Sequence, residues 1–324
     1  MVRHRRAPTS LEVARVNGCL GGLCVNAATV AIIGVLVSAI AAFSSDAVTP
    51  APAAALVRAA PTPSTIAFVA HDGIFTVRTD GSHLRRIAAQ ADDPAWSPDG
   101  RYIAYRNYGD ANCGIFVARA DGTRRRCLTN SGDYGPAWSP DGRRIVVHRE
   151  GGDSDDGDLF VVEVSTRRVV RLTRTPDVAE FEPAWSPDGR EIVFVGDFDI
   201  QVLKLRTQQI RTVVAGGGRW AGFLLERPHW SPNGTQIAYS TSVERGYAIV
   251  VMKADGSNRR GIITSRAGLS SPSWSPDGTR IAYSRSSSGE GANRRPGWLF
   301  IARPDGRGQH ALVRDGGYPD WRPR

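Results

Sequence analysis

The residues able to do chemistry are few and far apart along the chain. Asp93, Glu182, Arg227 and His229 carry acidic, cationic or imidazole groups, and Asp320 adds a carboxyl near the carboxyl end. Such groups work as acids, bases or anion binders only where a fold gathers them at one cleft. A second set, Asp153, Asp155, Asp156 and Asp158, has the alternation of a calcium loop. Gly157 comes one position early for that pattern, so a solvated acidic turn is the plainer reading. Cys113 and Cys127 flank Asp121-Gly122 asymmetrically on what read as two neighbouring strands, which leaves both a bridge and two free thiols open. The chain has no CxxC, HExxH, GxSxG or phosphate-binding glycine motif. No cofactor and no metal are expected.

What must position these groups is a repeat. WSPDGRYIAY from Trp96, WSPDGRRIVV from Trp138, WSPDGREIVF from Trp185, WSPNGTQIAY from Trp230 and WSPDGTRIAY from Trp274 stand in register, and Trp321 closes the series. The spacings are 42, 47, 45, 44 and 47 residues, and a proline lies two residues before each of the six tryptophans. Ser-Pro-Asp-Gly suits a tight turn: proline fixes φ, aspartate bonds the nearby backbone and glycine accepts positive φ. The Trp strand and the following IAY, IVV or IVF strand therefore form a hairpin. A third strand follows, clearest at Ile115–Val117, Leu159–Val161, Ile249–Val251 and Leu299–Ile301. Asp-Gly turns at Asp80, Asp121, Asp255 and Asp305 lead into a fourth. Ser165-Thr166 and Arg206-Thr207 replace that turn in blades three and four.

Four antiparallel strands per ~44 residues make a propeller blade. Ile66-Ala67-Phe68 reads as a second strand without a first, and Pro319-Asp320-Trp321 as a first without a second. Joined, they complete blade one, giving an all-β, six-bladed β-propeller over 64–324 closed by both ends of the chain.

These repeats resemble those of the TolB-like (PD40, WD40-like) β-propeller family, also found in the propellers of prolyl-oligopeptidase relatives. The resemblance covers Ser64 to Arg324. TolB itself carries a small α/β domain before its propeller, and this sequence has other material there, so TolB's specific partners do not carry over.

That other material divides into a basic segment (1–18), an apolar stretch (19–43) and an Ala/Pro-rich stalk (44–63). Arg3, Arg5, Arg6 and Arg15 precede the apolar run, which is long enough to span a bilayer. The reading is a single transmembrane anchor with its amino end in the cytoplasm and the propeller outside. A signal cleaved after Ala39-Ile40-Ala41 is the alternative, giving a secreted or periplasmic protein. The net charge is +9, almost all of it arginine. For an exported domain, anionic envelope polymers or lipid headgroups are better counterparts than nucleic acid.

In a four-stranded meander the SPDG and Asp-Gly turns share one face, and the variable loops share the other, where binding is expected. Tyr108 and Asp110 lie in such a loop, and Gly216–Arg227 is an apolar one holding Trp220 and Phe223. Between proline and tryptophan the repeat has a small residue at Ala95, Ala137, Ala184 and Ser273, letting a neighbouring Trp pack closely; His229 and Asp320 are the exceptions, near the channel. The expected function is a non-catalytic scaffold that binds a protein or peptide through Tyr108, Asp110, Trp220, Phe223, Arg227, His229 and Asp320. The rivals are a lyase or hydrolase of an envelope polymer using Asp93, Glu182, Arg227 and His229, and an accessory peptidase propeller.

Overall fold

The computed structural model describes residues 63–323 apart from 131, 151–156, 176–177, 217–224 and 287–296. Residues 1–62, which hold the expected anchor and nearly all of the expected stalk, and Asp153, Asp155, Asp156, Trp220 and Phe223 lie outside the described residues. Among the described residues no helix is long and apolar enough to cross a membrane.

Twenty-four strands, numbered in chain order, form six four-stranded antiparallel sheets among these residues. The innermost strands are β4 (Ala91–Trp96), β8 (Asp133–Trp138), β12 (Glu180–Trp185), β16 (Leu225–Trp230), β20 (Leu269–Trp274) and β24 (Gly316–Trp321). Each touches the next, and β24 touches β4, so the ring is closed. Blade one takes β24 from the end of the chain and β1 (Thr65–Ala70), β2 (Gly73–Arg78) and β3 (Arg85–Ala89) from its start. Ile66 pairs with Trp321 and Ala70 with Gly316. This is the predicted closure, and it leaves no blade with an open inner edge.

The SPDG turns form as expected. Gly100 N–H donates to the Ser97 carbonyl at 2.8 Å, Ser97 Oγ donates to Asp99 Oδ1, and Arg101 N–H donates to the same carboxylate. The Asn233 turn of blade five makes the same bonds. The isoleucine seven residues after each repeated Trp is fully buried, and blade faces pack on one another through such β-branched and aromatic side chains. At Ala95 and Ser273 the small residue before a Trp lets the indole of the neighbouring blade reach its carbonyl. Trp138 Nε1 donates to the Ala95 carbonyl at 3.1 Å, and Trp321 Nε1 to that of Ser273 at 3.0 Å, each tying one blade to the one before it. Trp138 is not part of a sealed core, however. It is half-buried and lines a groove on the turn face between blades two and three.

Candidate functional site

The proline before each tryptophan explains the channel. Proline has no N–H for a ladder and sits in sheets at edges or bulges. In all six innermost strands the pairing slips by one residue there; Asp92 faces Arg106, yet Ala95 faces Ala104. The residue three before each Trp is left unpaired in this bulge with a left-handed φ between 48° and 56°. These residues are Asp93, Gly135, Glu182, Arg227, Ser271 and Tyr318, and all line the channel at its loop-face mouth.

Chemistry concentrates in this ring. β16 and β4 stand three blades apart in a ring of six, and Arg227 spans the channel between them to pair with Asp93. Its Nε also pairs with Glu182 at 3.2 Å, its backbone N–H donates to Glu182 Oε2 at 2.6 Å, and its guanidinium lies 4.2 Å from the Tyr318 ring centre. Burial works to raise Asp93, but the guanidinium overrides it and holds that carboxyl below its ordinary value. Glu182 comes out the other way: burial pushes it up to about 7 despite Arg227. Burial and the adjacent Asp93 carboxylate lift Asp92 to about 6.

Two residues nearer the turn face lies the second ring, with His229 and Asp320. Asp320 Oδ2 accepts the Trp96 N–H at 2.7 Å, and burial raises the carboxyl to about 7. His229 Nδ1 lies 3.0 Å from the Trp230 carbonyl, and burial lowers the ring to about 4, so it is neutral. Both are bound to backbone in the wall of a channel cavity of about 200 Å³.

The structure thus brings Asp93, Glu182 and Arg227 into one ion-pair network and keeps His229 a layer deeper. Tyr108 is half-exposed on the connection after β5 (Tyr102–Asn107), where Asp110 accepts the Asn112 N–H. Asp158 is buried and paired with Arg171. Among the described residues no group of three or more His, Cys, Asp or Glu is placed to hold a metal ion. Cys113 and Cys127 are bridged, with a Cα separation of 5.9 Å. Cys113 is not on a strand, as expected from sequence, but in the loop before β6 (Ile115–Arg119). Cys127 faces Phe116 across the ladder, and the loop turns Cys113 back to reach it. Sequence reasoning missed Tyr318, Gly135 and His148, although reading the column three before each Trp identifies the first two.

Comparison with known proteins fits this architecture. The Tol-Pal system protein TolB of Nitratidesulfovibrio vulgaris is 37% identical over 62 residues, 17% of this chain and only 14% of that protein's length. TolB from Acinetobacter baumannii superposes with a TM-score of 0.68 at 22% identity, over 81% of this chain and 67% of that one. A putative TolB from Agrobacterium tumefaciens gives 0.62 at 17% identity, over 79% and 91%. The family model for the TolB beta propeller domain, PD40, matches residues 74–244, more than half of the sequence, and the chain belongs to that family.

Proposed function

We infer that the chain is a non-catalytic interaction propeller, held on the exported side of a membrane, whose loop face binds a protein partner over the channel mouth. The observation that carries this is the placement of exposed aromatic surface. Tyr108 and Tyr318 are 50% and 41% exposed, and both belong to the loop face; the opposite face is built of near-identical turns. Tyrosines beside arginines such as Arg106 and Arg227 are what a protein interface uses as anchors. The carboxylates an enzyme reading needs, Asp93 and Glu182, are both engaged by Arg227. The Cys113–Cys127 bridge supports an oxidising, exported location, as do the amino-terminal arginines and apolar run. The relative named for the Tol-Pal system supports partnership in an envelope assembly.

The test is capture of partners from envelope extracts with the full-length protein and with a Tyr108→Ala/Tyr318→Ala variant. Loss of about 2 kcal/mol or more of affinity, with unchanged melting, is expected. A partner bound equally by both proteins removes the loop-face reading.

A further inference from the structure

Beside the channel mouth, between blades three and four, a second pocket of about 330 Å³ opens on the loop face. It exists because of Gly135. At the five equivalent positions a side chain projects into the channel; blade three has none, and a Cβ there would sit 3.3 Å from His148 Nδ1 and 3.8 Å from Pro183. The vacated space is walled by Glu150, Glu180, Glu182, Phe181, His148 and Arg227.

Its electrostatics are one-sided. Arg227 is spent on Asp93 across the channel and on Glu182 of the adjacent blade, and burial lowers the pKa of His148. Glu182 therefore shares Arg227 with Asp93, and Glu150 and Glu180 face the pocket with no arginine paired to them among the described residues, in a protein whose net charge is +9. Glu180 and Glu182 both have raised pKa values, burial first among the causes, as expected of carboxyls lacking a full counter-charge. The mouth also shows what such carboxylates hold. The Arg227 guanidinium, paired with two acids and set against a tyrosine ring, is an internal example of the occupant, and Phe181 offers the pocket a similar ring.

We propose that this pocket between blades three and four receives an arginine side chain of the protein partner, with Glu150 and Glu182 taking its guanidinium. The inference rests on the loop-face binding proposed above and names the chemistry of that partner. The titratable groups lining the site are Glu150 and His148 after and on β9 (Arg144–Arg149), Glu180 and Glu182 on β12, Arg227 on β16 and Asp93 on β4; Tyr134 on β8 bonds Glu150, and Glu226 on β16 and Tyr318 on β24 lie near Glu182. A cation there favours ionised Glu182, so binding expels its proton and tightens as pH rises from about 6 to about 8.

The probe is N-acetyl-arginine amide, titrated into the full-length protein, with the citrulline analogue as its uncharged isostere. The arginine compound should bind on the order of tenfold tighter, since charge-assisted bonds to carboxylate are the stronger ones. Gly135→Asn, which fills the gap with a residue that tolerates left-handed φ, should weaken binding about tenfold. Glu150→Gln should do the same without touching the backbone, so a folding defect in the first variant does not decide the matter. Equal binding of the two probes, or binding indifferent to both variants, overturns the proposal. A partner that still needs Tyr108 and Tyr318 while the arginine probe fails leaves loop-face binding intact and sinks only the arginine pocket.

Discussion

Asp320 and Glu182 are buried carboxyls from the two rings of the channel, and burial shifts both in the same direction. Asp320 stands where other blades have alanine, serine or histidine, and Glu182 where they have Asp93, Gly135, Arg227, Ser271 and Tyr318; burial raises each of the two carboxyls to about 7. A carboxyl with a raised pKa in the fold makes its full contribution to stability below its unfolded value, 3.8 for Asp320 and 4.5 for Glu182. That contribution is lost as pH rises through about 7, because the folded state holds protons the unfolded chain has already released. These two groups therefore make the propeller melt at a lower temperature at pH 8 than at pH 5. Asp320→Asn combined with Glu182→Gln should flatten that slope, as read by thermal unfolding across the range; a double variant with the parent's slope rules these groups out as its source. Asparagine keeps an acceptor for the Trp96 N–H, so the change isolates the charge.

At the scale of the element, the bulge before each tryptophan is the device that turns a scaffold strand into a site. Proline at that position is visible in the sequence, and so are the hairpins, the turns and the closing strand, because turn chemistry and strand alternation are local. The ion-pair network was legible only as scattered residues. Asp93, Glu182 and Arg227 lie on different blades, and their meeting depends on ring closure and on the left-handed φ that turns each side chain inward. Tyr318 gave no signal beyond its place in the column. The disulfide belongs to this scale as well. It ties the loop carrying Tyr108 and Asp110 to β7 (Arg126–Cys127), the shortest fourth strand, across a separation of 14 residues. A Cys113→Ser/Cys127→Ser variant should lose about 2–4 kcal/mol, measured by denaturant unfolding under non-reducing conditions. A variant as stable as the parent means the loop is held by its other bonds.

For the whole molecule, the fold is fastened at one seam. Deleting Pro319–Arg324 removes half of β24 and with it the Ile66 and Ala67 pairings and the Trp321 bond to Ser273, opening the inner edge of β1 at the turn face and weakening the contact with blade six. Such a protein should unfold at markedly lower temperature by calorimetry, and an unchanged transition contradicts closure. The same seam has a mechanical meaning. Thr65 and Trp321 lie at the same end of an antiparallel pair, and both ends of the propeller leave from the turn face: the Thr79 N–H donates to Ser64, the Arg322 N–H to Thr65, and Arg322 Nε to Gly100. A load drawing the two ends of the chain apart would peel this pair one hydrogen bond at a time, as a zipper opens, instead of shearing the bonds together. A load entering through the loop face and leaving through the amino-terminal segment would instead pass through the blades and spare the zipper. The propeller is weak along one line of pull and strong along the other.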